Sequence, residues 1–242
     1  MGSDRQIAGN LLGCILAPMR VLVFFLAVAA LDAQIANMQE IAQGLGVKCE
    51  YCHAGMGRGL GPATTAKVDG QPPSRVEIAR AMIAMTREIN EKILVATGKP
   101  ATEATRVTCI TCHRGVAIPG QLSDIIAKTA LDKGPDAAVA QYRDLRAQYY
   151  GRQSYDFAED TLLTSAQMVV RVKPPVSIPL LQLNLEFYPN SVRSYNQIAF
   201  AYTRSLNDEA AIATLEKALE IEPDNGAIRG QLEQLKSYRR KK

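Results

Sequence analysis

Tryptophan does not occur in these 242 residues, histidine occurs twice, and aromatic side chains make up 6% of the chain. Two histidines cannot build a histidine-rich metal centre. Once both are engaged, none remains to act as a general base. A charge excess is also missing: 28 lysines and arginines face 24 aspartates and glutamates, for a formal charge of +4. That is too small and too evenly spread to point to nucleic acid. The only concentrated basic run, Arg239-Arg240-Lys241-Lys242, reads as a solvated tail. No segment alternates apolar and polar residues as a half-buried strand would. Alanine, leucine and isoleucine supply the apolar fraction, which suits a mostly helical protein.

Cysteine is scarce as well, with five in all, and four of them fall into two copies of one pentapeptide. Cys49-Glu50-Tyr51-Cys52-His53 and Cys109-Ile110-Thr111-Cys112-His113 both read C-x-x-C-H, the attachment signature of c-type haem. Two thiols at this spacing reach the two vinyl groups of one porphyrin, and the histidine that follows lies under the iron as its proximal ligand. A four-cysteine zinc site would use both pairs and leave the histidines idle. A redox dithiol sits between a strand and a helix and does not recur with a trailing histidine. The expectation is therefore two haem c groups, held by Cys49, Cys52, Cys109 and Cys112, with His53 and His113 on the irons.

The N-terminus reads as an export leader over residues 1–33. The apolar run Val21 to Leu31 follows Arg20 and ends at Asp32-Ala33-Gln34, with small residues suited to cleavage after Ala33 or Ala29. The run is too short to span a bilayer well, so an uncleaved anchor is the second reading. Leu11-Leu12-Gly13-Cys14 resembles a lipoprotein box, but no apolar run precedes it, and Cys14 is read as part of the discarded leader. Export agrees with haem attachment outside the cytoplasm. The mature chain is expected in the periplasm or outside the cell, with no membrane span.

Three stretches follow: a dihaem domain over 34–120, a connecting segment with a helix over 121–155, and a helical array over 156–242. In the connecting segment Asp136 is expected to cap a helix whose stripe is Ala138, Val139, Tyr142, Leu145 and Tyr149. In the last stretch Tyr188-Pro189-Asn190 and Glu222-Pro223-Asp224 lie 34 residues apart, the period of the tetratricopeptide repeat. Tyr195, Ile198, Ala199 and Tyr202 fill one helix of the unit between them; Ala211, Leu215 and Ala218 fill the other. The preceding unit matches through Ser165, Met168, Ser177 and Leu181, with Pro174-Pro175 and Pro179 crowding its turn. Residues 224–238 read as a capping helix, giving about two repeats and a cap that lean on the helix near 136–150 and on the haem domain. The expected fold is all-α: a small dihaem cytochrome c domain followed by a short tetratricopeptide-type array.

Each iron needs a second axial ligand or an open site, and methionine is the natural candidate once both histidines are used. Met38 lies on a segment, Gln34 to Leu45, that reads as a helix ended by Gly44 and Gly46. Met82 and Met85 lie on a longer helix, about Ser74 to Ala96. Ser74 and Glu77 form its capping box, and Gly98 and Pro100 stop it. Met56 follows His53 on the proximal side and is a poor candidate. Met168 reads as core of the array.

A methionine, a glycine turn and then C-x-x-C-H over residues 38–53, with Ala79-Arg80-Ala81-Met82-Ile83-Ala84-Met85-Thr86-Arg87-Glu88-Ile89-Asn90 and Val107-Thr108-Cys109-Ile110-Thr111-Cys112-His113-Arg114-Gly115, resembles the photosynthetic reaction-centre cytochrome subunit family over residues 35–118. The resemblance implies Met38 as sixth ligand of the first haem. It implies Met82, first of its Met-x-x-Met pair, for the second. Met85 is the alternative, because the connection from Asn90 to Cys109 is longer here than in the family. The family's membrane subunit carries four haems, one with two histidine ligands; this chain has two boxes and no spare histidine. The chain is also similar to exported dihaem proteins that join such a domain to tetratricopeptide repeats.

Two six-coordinate haems imply electron transfer between redox protein partners. The alternative is a haem enzyme of peroxidase or nitrogen-oxide reductase type, which needs a labile sixth ligand and a distal acid–base group. Glu50 and Asp69 lie near a haem in sequence, but surface solvation explains them better. A third reading is compatible with the first. With the leader removed near Ala33, little chain remains to cover the first haem, and an exposed haem edge together with the array would support homo-oligomers or a filament.

Overall fold

The computed structural model describes residues 37–53 and 74–240. The leader, Cys14, Met56, Asp69 and the last two lysines lie outside the described residues. The described chain is helical throughout, with no strand. It divides into two compact units, Met1–Pro119 and Gly120–Lys242.

The first unit contains α1 (37–45), α2 (Glu50–His53), α3 (Arg75–Thr97) and α4 (Cys109–His113). The signals that delimit α3 act as the sequence expects. The Ser74 Oγ accepts from the Glu77 N–H, and the Glu77 carboxylate accepts from the Ser74 N–H at 2.8 Å. Gly98, at φ +62°, closes the helix in the left-handed conformation that glycine adopts without a side-chain clash. None of the residues of α3 is buried among protein side chains.

The second unit holds α5 (Leu122–Lys133), α6 (Pro135–Tyr149), α7 (Glu159–Val170), α8 (Pro174–Phe187), α9 (Val192–Arg204), α10 (Asp208–Ile221) and α11 (Gly226–Arg239). Helix α5 packs on α6, α7 on α8, α9 on α10 and α10 on α11. Contacts also skip one helix, α5 to α7, α6 to α8 and α7 to α9, which is how stacked helical hairpins pack. Helices α8 and α10 start 34 residues apart, at Pro174 and Asp208, as do α9 and α11, at Val192 and Gly226. Ser191, Asn207 and Asn225 each accept from the backbone N–H three residues on, satisfying an orphan donor at the start of α9, α10 and α11.

The seam residues read from the repeat spacing are inside. Ile198, Ala199, Ala211, Leu215 and Ala218 are buried, with Tyr195 and Tyr202 packed against them. In the weaker unit Ser165, Ser177 and Leu181 are buried. The Ser165 hydroxyl donates to Ser123 O at 3.0 Å and lies 2.9 Å from Thr161 O.

Four details depart from expectation. Helix α5 has no counterpart in the sequence reading; its Leu122, Ile126, Ala127 and Ala130 join the main core, so α5 and α6 make a further hairpin. Asp136 is not the cap of α6: Gly134 is, with Pro135 first in the helix, where its missing N–H costs nothing, and Asp136 sits in the first turn. Pro174-Pro175 open α8, but Pro179 lies inside that helix and forgoes one backbone bond there. Met168 is exposed, because two residues along a helix turn about 200° and Ala166 has taken the inward face.

Leu181 is almost fully buried in the main cluster, whereas Phe200 is half exposed. Leu181→Ala should lower unfolding free energy by about 2–5 kcal/mol, through lost burial and the cavity left behind. Phe200→Ala should change it by less than about 0.5 kcal/mol. Urea denaturation of the full chain measures both.

Candidate haem-binding site

Helix α4 is a single turn that carries Cys109, Cys112 and His113. Immediately after it, Arg114 at φ +50° and Gly115 at φ +81° turn the chain back on itself. The Arg114 N–H bonds Ile110 O at 2.9 Å and the Val116 N–H bonds His113 O at 2.9 Å. The reversal brings the carbonyl of buried Val116 to 3.0 Å from His113 Nδ1. A carbonyl only accepts, so Nδ1 donates, and in a neutral imidazole that leaves the lone pair on Nε2. A neutral imidazole held in this tautomer is the form that ligates a metal.

The C-terminal turn of α1 is hydrogen-bonded to this box through the main chain. Gly115 N–H donates to Gly44 O at 2.9 Å. A Cβ on Gly44 would meet Cys109 Cβ and Ile110 N at 3.0 Å, and one on Gly46 would stand 2.0 Å from Gly115 O. Gly46 also sits at φ +64°, where L side chains are strained. The thiol of Cys109 is pushed up from its ordinary pKa, chiefly by burial and next by the Glu40 carboxylate on α1.

The first box, α2, closes its turn with a bond from His53 N–H to Cys49 O at 3.1 Å. Its partner is the start of α3: the Arg75 guanidinium donates to Tyr51 O at 2.8 Å and lies 4.1 Å above the centre of the Tyr51 ring. Fifteen residues further along α3, Asn90 pins the approach to the second box. Its Nδ2 donates to Val107 O and its Oδ1 accepts from Val107 N–H, both at 2.8 Å.

Met82 and Met85 lie on α3 between these anchors, 42% and 47% exposed, on one stripe with Ile78. Met38, on α1, is 56% exposed. The four box cysteines are free thiols. Among the described residues no three cysteine, histidine, aspartate or glutamate side chains converge. Each box has its own pair of thiols and its own imidazole. With His113 Nε2 free, that donor set fits a covalently held haem. Glu50 is exposed on α2.

Arg75, Asn90, Val116 and the close approach of Gly44 and Gly46 are not legible from local pattern. Each acts on a partner distant in sequence, or through its main chain. The only local hint is a pair of glycines where one suffices to end a helix.

Residues 65–186 match the family described as photosynthetic reaction centre cytochrome C subunit. The match holds α3, the second box and the helices as far as α8. It begins after the first box and continues well beyond residue 118, where the resemblance read from the sequence ends. No curated protein and no solved structure matches the chain.

Asn90→Ala removes both bonds to Val107 and leaves two part-buried backbone groups without their partner. A cost of about 1–3 kcal/mol is expected locally. Hydrogen–deuterium exchange should then speed up at Val107 and through α4 while the second unit is unchanged.

Proposed function

The chain belongs to the photosynthetic reaction centre cytochrome C subunit family, and from that premise we propose that it is an exported electron carrier with two haem c groups. A c-type cytochrome of this family holds its haem covalently and exchanges electrons with redox partners. The observation that carries the finer reading is the clasp on His113: its Nδ1 hydrogen is taken up by Val116 O beside two free thiols of the same turn.

Bound haem supplies a one-electron iron couple. Cys109 and Cys112 would hold one haem through thioether links to its vinyl groups, and Cys49 and Cys52 would hold the other at the first box. His113 and His53 give imidazole nitrogen to the irons. Met38 serves the first iron, and Met82, with Met85 as the alternative, serves the second. A thioether is a neutral soft donor that would raise the potential of each haem it ligates. A histidine and a methionine on each iron would leave no open position for substrate, which favours a carrier over a peroxidase or nitrogen-oxide reductase. No described helix is long and apolar enough to cross a membrane.

The second unit is proposed as a tetratricopeptide-type docking array. A groove of about 800 Å³ runs along it, lined by Gln167, Asn196, Gln197 and Gln234 with Phe200 and Tyr238. Carboxamides beside aromatic rings suit a protein surface. We take copies of this chain as the occupant, joined head to tail into a filament that lines up haems.

Intact mass after mild denaturation should show two haem additions; a haem-free or zinc-bound mass overturns the reading. Met38→Ala and Met82→Ala should each remove a separate share of the methionine-to-iron charge-transfer band. Loss with Met85→Ala and not with Met82→Ala transfers the role to Met85.

Light scattering of the full-length mature protein at rising concentration should report assemblies that grow. A monomer throughout assigns the groove to some other protein.

A further inference from the structure

The two boxes and the two methionine helices are connected crosswise. Helix α1, which carries Met38, is seated on the second box through Gly44 and Gly46. Helix α3, which carries Met82 and Met85, is tied by Arg75 to the first box. Resting on the two-haem reading above, we propose that Gly44, Gly46 and Arg75 are positioning residues that act across the pair: the second box orients the ligand helix of the first haem, and the first box orients the ligand helix of the second.

The geometry of each helix supports this. On α1, Glu40 lies four residues before Gly44 and shares its face, and at Gly44 that face meets the second box, where an added Cβ would stand 3.0 Å from Cys109 Cβ and Ile110 N. Met38 is six residues before Gly44, about 120° around the helix from that face. Seating the glycine face on α4 therefore directs Met38 away from the second box. The seat admits no side chain at Gly46, whose added Cβ would overlap Gly115 O, so the rotation of α1 is fixed by main-chain contact.

On α3, Met82 lies seven residues after Arg75, about 20° from its direction. The guanidinium holds Tyr51 in two ways, by a hydrogen bond to its carbonyl and by stacking on its ring. A planar cation with two such contacts fixes both the position and the roll of the first turn. Asn90 fixes the same helix two turns beyond Met82, against Val107. Without Arg75, α3 would be pinned near the second box only, and its methionine stripe would be free to roll about that point.

The test uses the haem-loaded full-length protein, with Met38→Ala, Met82→Ala and Met85→Ala assigning each share of the charge-transfer band to its haem. Gly46→Ala, which touches the second box, should remove most of the Met38 share and spare the other. Arg75→Gln, which touches the first box, should remove most of the α3 methionine share and spare Met38, and Arg75→Lys should restore part of it. Should Gly46→Ala fail to load haem, the Arg75 pair decides, because an exposed arginine can be replaced without disturbing a core. A band change confined to the haem whose box was touched, or no change in either share, overturns the proposal while leaving two methionine-ligated haems in place. A wild-type mass with fewer than two haems overturns the two-haem reading itself, and the crosswise assignment with it.

Discussion

A five-residue box must present two thiols and one imidazole from a single helical turn, and so short a helix leaves most of its backbone groups without internal partners. The first unit is organised around supplying those partners. Tyr51 O receives Arg75, and Ile110 O receives the Arg114 N–H. Gly115 N–H is received by Gly44 O, and Val116 O takes up the His113 ring hydrogen. Elements far apart in the chain are thereby brought to the same two turns. The conformation that allows it is local: two successive positive φ values at Arg114 and Gly115 reverse the chain directly after the histidine. The non-glycine member of that pair is held in a conformation costing of order 1 kcal/mol, which the surrounding bonds offset.

The second unit rests on a different principle. Its cohesion comes from apolar burial between hairpins, with one cluster running from α5 to α9 and another from α9 to α11. Tyr202 packs against both clusters, so the array is continuous across α9. Small residues, Ala199, Ala211 and Ala218, let helices approach, and Leu215 fills the seam between them. An aromatic group closes the other end. Tyr142 meets Phe157 edge to face at 5.7 Å, and the Arg146 guanidinium lies 4.0 Å above the Tyr150 ring and 4.2 Å above Phe187. These contacts explain why α6, with buried Ala138 and Tyr142, holds its place beside α8.

Family membership and site geometry address different questions. The matched segment, 65–186, establishes a cytochrome and includes the second box together with the hairpins α5–α6 and α7–α8. The first box and Met38 stand outside it and rest on residue chemistry and on the α1 contact. That both arguments meet at α4 is the strongest connection between them. The matched segment includes the start of α3, and Arg75 on that helix reaches back to the first box.

The sequence by itself determined the chemistry and the periodicity. Both C-x-x-C-H boxes, the Ser74–Glu77 cap, the Gly98 stop and the 34-residue spacing are local patterns, and local patterns need no knowledge of what lies across the fold. It fell short where a helix looks alike whether it is paired or not. Helix α5 lies between Gly120 and Gly134 and announces itself only by what it packs on, and Met168 turns outward because Ala166 took the inner face. The tertiary structure alone decided which elements serve the boxes. Whether Gly46 merely ends a helix or seats it against Gly115 depends on a chain some seventy residues away. Whether Arg75 is a surface charge or a clamp on Tyr51 depends on the return of α3 to the first box. Both are contacts of the backbone or of a long flexible side chain, which leave no periodic mark in a sequence.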